Sequence, residues 1–191
     1  MKYCPAFGYH ANAEKTWLVV KSLKEGEAEE VFEGTGVRIT VEGKQHLGAV
    51  IGSMEFKDEF VLSMVEEWVE QIEMISKIAQ IDPHSAYAAF THGLRHRYTY
   101  FMQTIPNISH RMKPLEEAIR SKCIPALTEN YCVSENERLL LSLPVRHGGL
   151  GLSNPCEISD HEFQNSTSLT RKLADAIIAQ SNEVIEVDVE A

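Results

Sequence analysis

Cations alternate with aromatic rings in one short segment near the middle of the chain, at Arg95, Arg97, Tyr98 and Tyr100. Guanidinium groups bind phosphate oxygens, and tyrosine rings stack on nucleobases. The mixture therefore indicates a surface that could contact a nucleic acid. A solvated helix face, whose cations pair with the acidic side chains of residues 55–81, explains the same residues equally well. The sequence leaves both interpretations open.

Charge is distributed unevenly along the chain. The 191 residues have a formal net charge of −10, which argues against a stand-alone nucleic-acid-binding protein. Residues 92–122 contain six basic and two acidic side chains, a net charge of +4. Residues 24–73 contain four basic and thirteen acidic ones, a net charge of −9, and residues 157–191 have a net charge of −6. A basic segment thus lies between two acidic segments.

Two further motifs do not complete a known kind of site. His92 and His96 have the spacing of two imidazoles on one helix face, but no glutamate between them could act as a general base. The adjacent Arg95 and Arg97 would also repel a metal ion. The glycine-rich residues 148–151 lack the lysine and hydroxyl of a phosphate-binding loop, so we interpret them as a turn. The four cysteines lack the paired spacing of zinc ligands.

The composition is that of a soluble globular protein, with 43% hydrophobic and 24% charged residues. No apolar run approaches the ~18 residues that a membrane span needs. The first ten residues lack the apolar core of a signal peptide. We therefore expect an intracellular protein, cytoplasmic or nuclear, which is neither secreted nor associated with a membrane.

The hydrophobic pattern predicts small α/β elements at the start of the chain. Residues 15–21 are apolar and β-branched, which favours a strand, and residues 25–36 favour a short helix. Residues 37–40 and 45–52, joined by a turn at Glu42-Gly43, are predicted to pair as a β-hairpin.

Helices are predicted for most of the remaining chain. Between residues 55 and 81, apolar side chains recur every three or four residues and predict one buried stripe, at Val61, Val65, Trp68, Ile72, Ile75 and Ala79. The further helices are predicted at residues 84–103, 108–123, 135–143 and 157–181. Pro114 is expected to kink the second of these or to start it anew, and Ser159 or Asp160 to cap the last one. Residues 143–155 are rich in glycine and proline, which predicts a loop.

Five segments in chain order resemble the C-terminal part of retrotransposon-type reverse transcriptases, the downstream palm and thumb. They cover most of residues 5–155 and read GYHANAEKTWLVVK, VRITVEGKQHLGAVIGS, IAQIDPHSAYAAFTHGLRHRYTYFMQTIP, PLEEAIRSKCIPALT and LPVRHGGLGLSNP. No single segment is specific by itself. The series in this order is what carries the resemblance.

The resemblance implies roles for particular residues. Lys15 matches the lysine that lies close to the incoming triphosphate in this family, where a protonated amine could assist the leaving pyrophosphate. Leu47 and Gly48 match the element that holds the primer end, and glycine there permits close approach of the backbone to a sugar-phosphate chain. The helices from residue 55 onward correspond to the thumb, which clamps the template–primer duplex.

The sequence departs from the family at its catalytic centre. In the family, a Tyr-x-Asp-Asp turn holds the two magnesium ions that catalyse nucleotide transfer. This chain has five aspartates, no two of them adjacent, at Asp58, Asp82, Asp160, Asp175 and Asp188. We therefore expect this chain alone to bind no Mg²⁺ and to have no polymerase activity. Mg²⁺ is expected only for a full-length enzyme whose remaining segments supply the two aspartates.

The expected fold is α+β, a partial palm followed by a thumb-like helical bundle. The predicted domains are an α/β segment at 1–54, a helical bundle at 55–143, a glycine- and proline-rich loop at 144–156, and a C-terminal helix with an acidic tail at 157–191.

The function expected from the sequence is weak binding of a template–primer, either an RNA–DNA hybrid or a DNA duplex. The alternative is a catalytically inert helical module that binds a protein, such as a missing palm and fingers segment or a second copy of the chain. The residues expected at the nucleic acid are Lys15, Leu47, Gly48, Arg95, Arg97, Arg111 and Lys113.

Overall fold

Two small β-sheets precede a series of helices, which confirms the predicted α+β class. The computed structural model describes residues 12–129 and 133–181. The chain divides into two compact units, Met1–Val61 and Leu62–Ala191. The acidic tail predicted at the C-terminus lies outside the described residues, as does the start of the first segment of the resemblance.

The first compact unit contains a β-α-β unit. Strand β1 (Trp17–Val19) pairs in parallel with strand β2 (Arg38–Thr40), and the register places Trp17 opposite Arg38. Helix α1 (Glu25–Val31) connects the two strands, because a parallel pair needs a crossover connection. The predicted strand at 15–21 and the predicted helix at 25–36 are therefore confirmed, with shorter bounds.

The β-hairpin lies later in the sequence than predicted. Strand β3 (Gly43–His46) pairs with strand β4 (Ala49–Gly52) in antiparallel register, with Leu47 and Gly48 as the two turn residues. The prediction that residues 37–40 form one strand of this hairpin is wrong, because they pair with β1 instead. A two-residue turn with positive φ at both positions matches the twist of the flanking strands, and this local geometry selects the pairing.

Helix α2 (Met54–Ala79) begins in the first unit and continues into the second. The Ser53 hydroxyl accepts a hydrogen bond from the backbone N–H of Phe56 at 3.1 Å and caps the first turn. Every residue of the predicted apolar stripe is buried, from Val61 to Ala79. This prediction is confirmed.

The predicted helices at 84–103 and 108–123 are present as composite helices. The first contains α3 (Pro83–Ala89), a π-helical turn at Phe90–Leu94, and α4 (Arg95–Thr104). The second contains a 3₁₀ turn at Ser109–Met112, α5 (Lys113–Ala118), a π-helical turn at Ile119–Cys123, and α6 (Ile124–Thr128).

Proline positions explain where these helices start. Pro83 and Pro114 each occupy the first turn of a helix, where the missing N–H has no intrahelical acceptor. The helix predicted to end at Cys123 instead continues through Pro125 to Thr128, since Pro125 also lies in the first turn of α6. A π-helical turn directly precedes it and changes the hydrogen-bond register there.

Aromatic side chains form the centre of the second unit. The ring of Trp68 lies 4.9 Å from that of Phe101 in an edge-to-face arrangement, and 6.2 Å from that of Tyr98. All three residues are buried. This cluster joins α2 to α4.

Helix α7 (Glu135–Ser142) begins with a capping box. The Ser134 side chain accepts from the Glu137 N–H, and the Glu137 carboxylate accepts from the Ser134 N–H. This capping box satisfies two donors that the helix start would otherwise leave unpaired. The prediction of a helix at 135–143 is confirmed.

The glycine-rich residues 148–151 form an ordered loop that packs on the end of α7. The N–H of Gly151 donates to the carbonyl of Leu143 at 2.8 Å, and the hydroxyl of Tyr87 donates to the carbonyl of Leu150 at 2.7 Å. A Cβ at Gly149 would collide with the carbonyl oxygen of Leu143. Glycine is therefore required here for close backbone packing, which accounts for the motif without a phosphate.

Helix α8 (Pro155–Ile178) starts earlier than predicted. The side chain of Asn154 accepts from the N–H of Cys156 at 2.9 Å, so Asn154 is the N-cap. The expectation that Ser159 or Asp160 caps this helix is wrong. Pro155 in the first turn favours the earlier start, and Ser159 lies buried within the helix.

Candidate nucleic-acid interface

A cleft of about 830 Å³ opens on the first unit, beside both of its sheets. Its walls come from the segment before β1 and from all four strands. The lining residues are Glu14, Lys15, Thr16, Trp17, Val19, Arg38, Lys44, Gln45, His46 and Ile51. Three cations and one carboxylate give the cleft a charge of +2 with histidine neutral, within a chain whose net charge is −10.

The indole of Trp17 is the centre of this charge cluster. The guanidinium carbon of Arg38 lies 5.4 Å from the ring centroid, and the ammonium nitrogen of Lys44 lies 4.4 Å from it. Both distances are in the range of cation–π attraction, which holds the two cations beside the ring. Trp17 remains 36% exposed. The arrangement brings phosphate-binding groups and a stacking surface together.

Strand pairing positions these side chains. The parallel register of β1 and β2 places Trp17 opposite Arg38, and neighbouring positions across a ladder are close enough for their side chains to interact. Lys44 comes from β3, which contacts β1. Lys15 ends a short 3₁₀ turn that Asn12 caps, through a 3.1 Å hydrogen bond from the Lys15 N–H to the Asn12 side chain.

The hairpin turn at Leu47-Gly48 directly follows the cleft residue His46. Its φ angles are +50° at Leu47 and +81° at Gly48. Glycine adopts this conformation without cost, whereas a leucine in it is strained. Leu47 is also 81% exposed. Leu47 is thus a strained, exposed apolar residue at the turn of the hairpin.

We expect Leu47→Asn to stabilise the β3–β4 hairpin by about 0.5–1 kcal/mol, because asparagine tolerates positive φ. Slower hydrogen exchange of the amides of residues 43–52 measures the effect. Gly48→Ala, which introduces strain at the neighbouring position, is the opposite control and should speed the same exchange. An unchanged exchange rate in Leu47→Asn would show that the leucine is not strained there.

The other predicted contact residues lie in the second unit, and two of them are engaged within the protein. Arg97 donates to the Glu67 carboxylate at 2.9 Å and to the side chain of Gln71 at 3.0 Å. Arg111 is half-buried beside the core residue Met112. The pairing of Arg97 with α2 is the alternative that the sequence left open.

The other two predicted cations of the second unit are Arg95 and Lys113. Arg95 is half-buried and lies next to Gly151, and Lys113 is exposed at the start of α5. Arg95 and Lys113 belong to two different helices, α4 and α5.

Further cations of the basic segment 92–122 also pair with carboxylates. Lys122 donates to Glu73 of α2 at 2.5 Å, and this hydrogen bond lowers the pKa of the Glu73 carboxyl. Arg120 pairs with Glu135 at 2.6 Å. Together with Arg97, three of the six cations of this segment are thus paired with acidic side chains.

One of the two tyrosines expected to stack on bases does not lie at the surface. Tyr98 is completely buried against Trp68 and Phe90, whereas Tyr100 is 41% exposed. Tyr98 continues the helical stripe of Phe90 and Leu94 at intervals of four residues, and this periodicity places it in the core.

Sequence reasoning missed Trp17, Arg38 and Lys44 as parts of one site. The signal that was available is the position of Trp17 two residues after Lys15, in a strand that the resemblance includes. The partners Arg38 and Lys44 come from separate strands. The parallel pairing of β1 with β2 brings Arg38 to the ring, and the contact of β3 with β1 brings Lys44 to it. The sequence had predicted a different pairing for residues 37–40.

A buried ion pair lies in the second unit. The guanidinium of Arg138 donates to both oxygens of the Glu116 carboxylate at 2.7 and 2.6 Å, and to the carbonyl of Leu152 at 2.5 Å. This bidentate geometry is the strongest form of such a pair. It ties α5, α7 and the glycine-rich loop together.

Among residues 12–129 and 133–181, no group of three or more His, Cys, Asp or Glu side chains is arranged to hold a metal ion. His92 and His96 lie on the π-helical turn and on α4 without a third ligand of this kind. Two of the four cysteines, Cys4 and Cys132, fall outside the described residues.

The thiol of Cys123 is buried beside the core, and burial raises its pKa to about 12. The thiolate is the reactive form, so this thiol stays protonated and inert well above neutral pH. We expect iodoacetamide at pH 8 to leave Cys123 unmodified in the native protein and to alkylate it after denaturation. Peptide mass mapping of both samples measures this. Fast native modification of Cys123 would contradict its placement in the core.

None of the helices in the described part of the chain is both long enough and apolar enough to cross a membrane. Comparisons of the chain with known protein families, with curated proteins and with solved structures found no match.

Proposed function

We propose that this chain is a remnant of a retrotransposon-type reverse transcriptase, which binds a template–primer weakly and has no polymerase activity by itself. The observation that carries the proposal is one cleft that Lys15, Arg38 and Lys44 line together with Trp17, whose ring Arg38 and Lys44 contact. Cations that contact phosphates, together with an aromatic ring that stacks on a base, are the parts of a sequence-tolerant nucleic-acid site.

Two predicted positions support this proposal by their location. Lys15 lines the cleft, and the Leu47-Gly48 turn directly follows its residue His46. The resemblance assigns both positions to the part of a reverse transcriptase that meets the primer end and the incoming nucleotide. One site in the first unit could therefore serve both roles.

The proposed lack of catalysis follows from the sequence. Nucleotide transfer by this class of enzyme needs two magnesium ions held by adjacent aspartates, and no two aspartates of this chain are adjacent. A full-length enzyme would hold Mg²⁺ on aspartates contributed by another segment. The chain's own residues would then supply phosphate contacts at Lys15, Arg38 and Lys44.

A primer-extension assay combined with a binding measurement tests both halves of this proposal. A fluorescent RNA–DNA hybrid with a recessed 3′ end is mixed with the purified chain at low salt, with nucleotides and Mg²⁺ or Mn²⁺. We expect the anisotropy to rise with protein concentration, with a dissociation constant in the range of about 1–100 μM that non-specific binding shows. No extension of the primer is expected. Template-dependent extension would contradict the proposed inactivity, and an unchanged anisotropy would contradict the proposed binding.

A protein-interaction module is the second candidate. It is favoured by the ion pairs that occupy the predicted basic segment, such as Arg97 with Glu67 and Lys122 with Glu73. The chain's partner would then be a missing palm and fingers segment or another protein surface. Under this alternative, the same anisotropy titration would show no binding at any salt concentration.

A further inference from the structure

The indole of Trp17 gives the cleft of the first unit a surface that the side of a base-paired duplex does not use. Along a duplex the bases are paired and stacked on each other, so a protein meets phosphates, sugars and base edges while the base faces stay covered. Trp17 lines the cleft and is 36% exposed, whereas Trp68, the only other tryptophan, is completely buried. A ring in this position stacks on a base only where that base is unpaired.

The cations of the cleft lie beside this ring without being neutralised. Arg38 and Lys44 contact the ring of Trp17 by cation–π attraction. Neither of them, nor Lys15, forms an ion pair with a carboxylate of the residues that the structure describes. Several cations of the basic segment 92–122, by contrast, pair with carboxylates. The charges of the cleft therefore remain available for the phosphate groups of a ligand.

A base that enters the cleft competes with these cations for the ring. A cation–π contact at an exposed position is weak, and the stacking of a nucleobase on an aromatic ring is stronger. Arg38 and Lys44 have long side chains, so they can leave the ring and bind the phosphates on either side of the stacked base. A charge-assisted hydrogen bond to phosphate then replaces each cation–π contact. Stacking and phosphate binding thus strengthen each other when the nucleotide is unpaired.

We infer that the cleft binds an unpaired nucleotide, with its base on Trp17 and the neighbouring phosphates on Lys15, Arg38 and Lys44. The inference rests on the proposed function and specifies which part of a template–primer the cleft recognises, namely the unpaired overhang and not the duplex. The volume of the cleft, about 830 Å³, is in the range of sites for small ligands. Binding of this kind tolerates any sequence, because every base has a flat face.

Three fluorescent RNA–DNA hybrids, which share one duplex sequence and differ at one end, test this inference by anisotropy with the full chain. One hybrid is blunt, one has an overhang of unpaired nucleotides, and one has an overhang of the same length made of abasic nucleotides. The two overhangs carry the same phosphates, so the bases alone distinguish them. We expect the natural overhang to bind about tenfold more tightly than the abasic one, which is the effect of one base–aromatic stack. The blunt hybrid should bind no more tightly than the abasic one.

Substitution of the ring shows whether Trp17 is the stacking surface. Trp17→Leu keeps an apolar residue in strand β1 and should abolish the preference for the natural overhang, whereas Trp17→Phe keeps an aromatic ring and should retain most of it. The matched control is Tyr100→Leu, which removes a ring that is 41% exposed in the second unit and should leave the preference unchanged. Circular dichroism establishes that each variant is folded.

The tryptophan fluorescence of the wild-type chain provides a second measurement that needs no substitution. Trp17 and Trp68 are the only tryptophans, and Trp68 is completely buried, so quenching by a bound base reports on Trp17. We expect the natural overhang to quench the emission and the abasic overhang to leave it nearly unchanged.

The possible failures of this inference and of the proposed function are distinguishable. Equal affinities for the natural and the abasic overhang would overturn the inference and leave the proposed binding intact. A preference that folded Trp17→Leu retains, or that Tyr100→Leu loses, would also overturn it, because the stack would then lie outside the cleft. If none of the three hybrids raises its anisotropy, the proposed function itself is contradicted, and the inference fails with it.

Discussion

Replacing Glu116 by alanine is expected to lower the free energy of unfolding by about 3–5 kcal/mol, because it leaves the buried guanidinium of Arg138 without its carboxylate. The side chain of Arg138 is only 4% exposed, and it donates two hydrogen bonds to Glu116. Its third hydrogen bond holds the carbonyl of Leu152 at the end of the glycine-rich loop. Urea unfolding followed by circular dichroism measures the loss.

Two further variants show whether the large loss of stability in Glu116→Ala arises because the ion pair is buried. Glu135→Ala removes the partner of Arg120 from a pair in which Glu135 is 76% exposed, so we expect it to cost less than about 1 kcal/mol. The double variant Glu116→Leu/Arg138→Met removes both charges and should be more stable than Glu116→Ala alone. Equal losses in Glu116→Ala and Glu135→Ala would contradict the assignment of Glu116 and Arg138 as a buried pair.

The double variant Arg38→Glu/Lys44→Glu reverses the charge of two cations of the cleft. We expect it to weaken binding of an RNA–DNA hybrid by roughly 10–100-fold at about 0.1 M salt. The two substitutions replace two of the three cleft cations by carboxylates beside Trp17. Anisotropy titration of the labelled hybrid measures the change. Residual binding would then depend on Lys15 and on surfaces outside the cleft.

The matched control is the double variant Lys21→Glu/Lys24→Glu. Both lysines are exposed in the same unit and do not line the cleft, and the change in net charge is the same. We expect less than about a threefold loss of affinity, since only long-range attraction is reduced and salt screens it. Equal losses in the two double variants would mean that net charge, not the cleft, determines binding.

Periodic elements of the fold were predictable from the sequence. The stripe from Val61 to Ala79 fixed the position of α2 because a 3.6-residue period has one buried face. The proline positions located the starts of α3 and α5. The pairing of the short strands was not predictable in the same way. Residues 37–40 have strand propensity, and the choice between β1 and β3 as a partner depends on contacts distant in sequence.

The candidate site was predictable only in part, for a related physical reason. Lys15, Leu47 and Gly48 were predicted through the resemblance, because each belongs to a segment that is continuous in sequence. Trp17, Arg38 and Lys44 were missed as a group because strand pairing, not sequence spacing, brings them together. The sequence left the basic segment 92–122 open as a nucleic-acid surface, because carboxylates that pair with its cations lie far away in sequence, as Glu67 does from Arg97.

The most direct test of the central claim is the salt dependence of binding to an RNA–DNA hybrid. If Lys15, Arg38 and Lys44 each neutralise one phosphate, the logarithm of the association constant should fall with the logarithm of salt concentration with a slope of about −2 to −3. In Arg38→Glu/Lys44→Glu, the slope should become shallower by about 2, and in Lys21→Glu/Lys24→Glu it should stay unchanged. A wild-type slope near zero, or the same slope in the wild type and in the cleft variant, would contradict the account.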